Sequence, residues 1–470
     1  GATKLAAVDI TGNVVTINQA FSSSSSIEIS NEGLLTVADD AHIVADAGFT
    51  QNGAGLMSLG ADITTVNTGI SIASALTLLD DGTSTPAAQS VTLSTGSGAG
   101  NIQLAAVTAG DGTLNNSLRL VSGSGTTTVS GAVTQMDALT VQEAGATGAV
   151  TFEQNLTATS LTTEAGNYAL SLQGGSTTVI DAVTFTNTGA LTLGNDNGDT
   201  LVFTAGMTAT APSVVNVHGT LRAAGAAQIS VGDSDTGVAV SGMAVIGGVS
   251  TGNITLGALT LADGAGLTVG GNTVSDISVA AVAGTADGTV SDLTFNTAGT
   301  VTVTGNVGTD IGTLTLTRGE GVTFQGTVDA GTLTIVNDVA AATKVLAFQN
   351  NVTLTTGMTV GTGAYGMSFT GANNSIAGST TFANIGAVTL GDATGDTIEF
   401  TGGLTATAPT TVSTAGTVQT SSAVMTLGTV QMSADTTLNT VSSTVANITI
   451  GTVTGTDDLI ITAGTGTLTF

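Results

Sequence analysis

The sequence predicts an all-β protein, a right-handed parallel β-helix (β-solenoid) with coils of about 20 residues. Three observations predict it. The composition suits strands and tight turns, with 66 glycines among 470 residues and only 8% charged residues. Short strands alternate an aliphatic residue with threonine. The chain also repeats itself, at one long and one short period.

Composition excludes much. Hydrophobic residues make up 41% of the chain, too many for a disordered polymer. Glu, Lys, Arg and Gln, which populate helices, are scarce. Helical bundles, Rossmann folds and TIM barrels are thereby excluded, since each needs long helices. The formal net charge is −28, and the cations Lys4, Arg119, Arg222, Arg318 and Lys344 stand singly. With no basic patch, nucleic acid is not an expected partner. Cysteine is absent, which removes disulfides and thiolate metal sites. No apolar run approaches the ~18 residues of a spanning helix. Two tyrosines cannot build the aromatic girdles of a membrane barrel. Membrane insertion by this segment is not expected. The chain opens on Gly1 and stops inside the strand-like Leu468-Thr469-Phe470, so it reads as a fragment or a processed part of a larger chain.

The long repeat is carried by rare residues. Phe185 and Phe382, Phe203 and Phe400, Pro212 and Pro409, and the tyrosines Tyr168 and Tyr365 are all separated by one common offset. Segments near 101–212 and 277–409 therefore read as long internal repeats within one continuous solenoid spanning 1–470. A shorter period is nested inside. Val303, Gly305 and Val307 return as Phe324, Gly326 and Val328, and Leu314-Thr315-Leu316 returns as Leu333-Thr334-Ile335 at a slightly closer spacing. Val129 and Phe152 mark a slightly longer coil. Asn-Ile-x-(Leu/Ile) opens at Asn101, Asn253 and Asn447.

Each short unit holds strands such as Val301-Thr302-Val303, Leu191-Thr192-Leu193 and Ile448-Thr449-Ile450. Alternation turns the aliphatic residues inward and threonine outward. Gly, Asn and Asp fall between strands, where turns need positive φ or side-chain-to-backbone bonds. A β-sandwich lacks so short a self-repeat. A propeller repeats at about 40–50 residues with aromatic signatures. A parallel β-helix repeats once per coil, and like residues stack in ladders. Roughly twenty or more coils at about 4.8 Å each would make a rod of about 100 Å. Phe324, Phe348 and Phe369, each about one coil from the next, should form an internal stack.

Runs of the type NITLGALTLADGAGLTV and VSDLTFNTAGTVTVTGNV resemble the secreted β-helical passengers of filamentous haemagglutinin-type and autotransporter adhesins. The resemblance covers nearly the whole chain. It implies an extracellular or bacterial cell-surface fibre. Neither an amino-terminal secretion domain nor a carboxy-terminal translocator barrel of those families is seen in the sequence.

Candidate chemistry is sparse. Asp196 and Asp199 lie in GNDNGDT, and Asp392 and Asp396 in GDATGDT. Oxygen-rich turns can hold calcium, so these four are the candidate metal ligands and calcium the one candidate cofactor. Asx turns with solvated carboxylates are the alternative. Further acidic turns hold Asp80-Asp81, Asp233 with Asp235, and Asp457-Asp458. The histidines are His42 and His218, and His218 lies one turn of sequence before Arg222. On this fold such a pair suggests a polysaccharide hydrolase or lyase, but general acid–base catalysis needs a neighbouring carboxylate. No adjacent acid cluster accompanies them in sequence, and the second long repeat carries neither residue near Gly416. No catalytic residue is assigned. Ser22–Ser26 reads as a flexible loop. The Asn-x-Thr triplets at Asn155, Asn253, Asn351 and Asn447 follow from composition. The expected function is structural: a surface fibre, adhesin or surface-layer component. Expected partners are further copies or filament neighbours and surface polysaccharide. A carbohydrate-active enzyme is the alternative.

Overall fold

The computed structural model describes residues 4–79, 90–110, 116–142, 148–273, 275–286, 288–308, 310–338, 344–441 and 444–470. Among them every regular element is a strand, and no helix occurs. Strands stack in parallel on strands one coil away, giving about 20 coils of roughly 22 residues, a β-solenoid.

The short strands explain themselves. In Leu404–Ala406 the first and last residues are buried and Thr405 faces outward. The same pattern recurs in Val301–Val303, Leu191–Leu193 and Ile448–Ile450. A coil cannot bury its aliphatic residues alone, but a stack buries them all and hydrogen-bonds each backbone edge to the next.

The short period read from the sequence is the coil itself. Val303 pairs with Phe324 and Val307 with Val328. Leu314, Thr315 and Leu316 pair with Leu333, Thr334 and Ile335. Val129 pairs with Phe152. Coils of unequal length thus keep the short triplets in register, and the extra residues are absorbed between strands or at register shifts within them, as between Val133 and Met136.

Contacts divide the chain into two units, Gly1–Val238 and Ala239–Phe470. In the first, a buried column runs from Ile27 through Phe49, Ile70 and Ile102. In the second, Phe324, Phe348 and Phe369 stack face to face, with centroids 5.2 and 4.9 Å apart. Phe295, Phe382 and Phe400 extend the stack with edge-on contacts at 6.0–6.4 Å. All six rings are fully buried.

The serine run is not a loop throughout. Phe21–Ser23 is a strand and Ser23 is buried. Its hydroxyl accepts the amide of Ser25 at 3.0 Å and donates to the carbonyl of Ala6. A small hydroxyl residue can replace an aliphatic one inside a coil where it satisfies the corner backbone.

Candidate functional site

The two acidic turns are built alike. Asp199 is buried, and its Oδ2 accepts the amides of Asn195 at 2.7 Å and Asp196 at 3.0 Å. Asp396 is buried, and its Oδ2 accepts the amides of Asp392 and Ala393, both at 2.9 Å. Gly194 and Gly391 enter these turns at φ +80° each, a conformation that suits glycine. A Cβ on either would meet a carbonyl of the next coil, His218 O at 2.2 Å or Ala415 O at 2.3 Å. The structure therefore brings Asp196 to Asp199 and Asp392 to Asp396, with the second aspartate of each pair closing the turn. Partial desolvation, then the hydrogen bond and charge of Asp396, hold the Asp392 carboxyl above its ordinary range. Among the described residues, no three or more His, Asp or Glu side chains gather as metal ligands would. Asp80 and Asp81 lie outside the described residues.

His218 and Arg222 share the strand Val214–Ala223. His218 Nε2 lies 2.7 Å from Asn197 Oδ1, and Arg222 stands in register beside Val202. His42 lies elsewhere, with Nδ1 accepting the amide of Asp62 at 3.2 Å. Two of the cations are paired with acids, Lys4 with Asp46 at 2.6 Å and Arg119 with Glu164 at 2.8 Å.

Three asparagines of the Asn-x-Thr triplets have a definite local task. Asn155 Oδ1 accepts the amide of Ser176, Asn351 that of Asn373 and Asn447 that of Thr467, at 2.8–3.0 Å. Asn101 and Asn306 do the same for Thr126 and Thr327. Each bridges a corner to the following coil. Asp276 takes the same role, accepting both the amide and the hydroxyl of Thr300 at 2.8 Å. Those two bonds hold its carboxyl below the ordinary range against a smaller effect of burial.

A groove not indicated by the sequence lies in the second unit. It encloses about 470 Å³ and is lined in part by Asp310, Asp329, Thr313, Thr355 and Thr356. Asp310 has φ +63°, and its Oδ2 is buried without a hydrogen-bond partner. Only the stacking places Asp310 near Asp329.

The outer walls are the most regular surface. In the second unit Thr268, Thr294, Thr315, Thr334 and Thr359 pair in successive coils. Thr381, Thr405, Thr426, Thr449 and Thr469 pair likewise. The two runs belong to different sheets, and one gives way to the other where the strand Val352–Val360 packs beside Thr380–Thr381. Register shifts along these strands fall outside the triplets centred on threonine. A second wall runs from Thr255 through Ser278, Thr302 and Thr323 to Thr454, with Ala347 and Gln431 the only rungs without a hydroxyl. A third carries charge, with Asp329, Thr353, Ser375, Glu399 and Gln419 in succession. The first unit has its own ladder of Thr16, Thr36, Ser58, Thr77, Thr108 and Thr134.

Compared with protein-family models, curated proteins and solved structures, the chain matches none.

Proposed function

We propose that the chain is a structural element of an extracellular or cell-surface fibre, working through its repetitive outer walls as the adhesin passengers it resembles do. The observation that carries this reading is what the two long repeats share. At matching positions they keep the parts that close and fill coils. Tyr168 and Tyr365 donate their hydroxyls to the carbonyls of Glu164 and Gly361, at 3.0 and 2.7 Å. The pairs Phe185–Phe203 and Phe382–Phe400 meet edge-on at 5.7 and 6.0 Å. Pro212 and Pro409 are both buried. The residues with chemistry differ: His218 corresponds to Ala415 and Arg222 to Gln419. Repetition of scaffold with exchange of outward side chains suits a surface that works by extent.

The test is location and turnover together. Antibody to the chain, with gold labelling of intact cells, should decorate the cell exterior or extracellular fibres. Incubation with acidic and neutral polysaccharides should release no new reducing ends and no unsaturated products. Label confined to the cell interior would overturn the reading. So would turnover lost in His218→Ala or Arg222→Ala, which would favour the polysaccharide enzyme.

A further inference from the structure

We propose that the all-threonine wall from Thr268 to Thr469 is a lateral docking face for a second copy of this chain. The inference rests on the fibre reading only in that both assign the work of the molecule to its walls.

Charge makes the first argument. The chain carries a formal net charge of −28, so two copies repel over most orientations. A ladder made of threonine alone holds no charge on any rung. The wall from Thr255 to Thr454 is also uncharged, but Ala347 and Gln431 interrupt its hydroxyls, and the wall bearing Asp329 and Glu399 offers no such strip. Period makes the second. Rungs recur at about 4.8 Å, and the partner certain to carry the same spacing along its whole length is another copy. Rigidity makes the third. Threonine is β-branched, so its χ1 is restricted in a strand, and little side-chain entropy is lost on contact. Each rung presents one methyl and one hydroxyl. Facing ladders can therefore interlock as dry zipper interfaces do, with threonine pairs contributing as cross-strand pairs do.

Symmetry allows two arrangements. A two-fold pairing uses the same patch on both copies. With the axis across the ladder, its midpoint between Thr359 and Thr381 lies at the axis and the Thr268 end of one copy meets the Thr469 end of the other; with the axis along the ladder, each rung meets its own counterpart. The rungs together span about 43 Å, and a short strand is about 10 Å wide, so each copy contributes about 400 Å². The pair therefore buries about 800 Å² in all, below the range of stable specific interfaces, and the association is weak and reversible.

The experiment is sedimentation of the purified full chain from about 1 to about 200 μM, a range that brackets weak pairing. Dimer should appear with concentration and strengthen with added salt, which screens the acidic repulsion. Thr315→Lys with Thr405→Lys should weaken dimerisation at least about tenfold, since like charges meet across the seam. Thr353→Lys with Ser375→Lys, on the neighbouring wall, should not weaken it. Circular dichroism checks that both pairs fold. The chain contains no cysteine, so single cysteines give a second readout. Oxidation should cross-link Thr268→Cys either to itself, for an axis along the ladder, or only to Thr469→Cys in a mixture of the two, for an axis across it, and Thr353→Cys on the neighbouring wall should not cross-link. A chain that stays monomeric, equal weakening by both lysine pairs, or cross-links indifferent to position would each overturn the proposal. An exclusively monomeric chain would leave the cell-surface test untouched.

Discussion

Asn187 donates from Nδ2 to the carbonyl of Tyr168 at 3.2 Å across one coil. Asn384 does the same to Tyr365 at 3.0 Å. Both asparagines are buried and donate again to the carbonyls of Gly189 and Gly386, at 3.3 Å. The coil needs glycine there, because a Cβ on Gly189 or Gly386 would lie 2.3 Å from that same tyrosine carbonyl. Tyrosine, asparagine and glycine thus form one closure, used once in each unit.

Asn187→Ala should therefore destabilise its coils by about 1–3 kcal/mol, the cost of removing a buried donor shared by two carbonyls. Hydrogen exchange should quicken for the amides of 166–191 and stay unchanged in distant coils, since a coil touches only its neighbours. Unaltered exchange throughout would show that water or a neighbouring donor replaces the amide.

The phenylalanine stack gives a larger effect. Phe348 is fully buried between Phe324 and Phe369. Phe348→Ala should cost about 3–5 kcal/mol through the cavity it leaves, and Phe348→Leu distinctly less. Urea unfolding followed by β-sheet circular dichroism measures both. Equal losses for the two variants would mean that the cavity is not the cause.

Much of this was legible in the sequence. The pairs Val303 with Phe324 and Leu314 with Leu333 are neighbours in register, because an in-register solenoid stacks like on like. The phenylalanine stack followed from the same spacing. The threonine wall was not legible. Its members from Thr268 through Thr294, Thr315 and Thr334 to Thr359 stand at unequal intervals along the chain, since corner insertions vary while the strands stay aligned. In a threonine-rich chain, no linear pattern says which threonines share a wall. The groove of Asp310 and Asp329 was hidden for the same reason. The acidic pairs were found by motif, but buried Asp199 and Asp396 differ from their exposed partners only in where the turn folds.

Acid should act on two aspartates in opposite directions. Asp276 is held below its ordinary value of 3.8 by its bonds to Thr300. Its contribution is present above the unfolded value and lost as pH falls through the folded one. Asp392 is held above 3.8. Its charge therefore costs stability above the folded value, and that cost disappears as pH falls below the unfolded one. Asp276→Asn keeps an oxygen acceptor, as the native Asn101 and Asn306 do, and should flatten the loss of stability below pH about 4. Asp392→Asn should raise stability at pH about 7 and leave it nearly unchanged at pH about 3. Thermal melts across this range give both slopes, and a reversed sign for either would reject its assigned partner.

Divalent ions should be dispensable for the fold. The two carboxylates nearest to a calcium arrangement already have partners, since Asp199 Oδ2 and Asp396 Oδ2 each accept two backbone amides. An ion on those oxygens would compete with the bonds that close the turn. Calcium also seeks about six to eight oxygens, whereas Asp196 Oδ1 is directed to the amide of Gly198 at 3.0 Å. Coil-to-coil backbone bonds continue through both turns regardless, from Thr220 to Asp199 at 2.8 Å and from Thr417 to Asp396 at 2.7 Å. Melting curves in excess chelator and in excess calcium should therefore overlay. Asp199→Ala should lower stability in both by about 1.5–3 kcal/mol, as expected for loss of hydrogen bonds to a charged acceptor. A calcium-dependent rise in the melting temperature that vanishes in Asp196→Ala would place an ion in the turn and overturn this account.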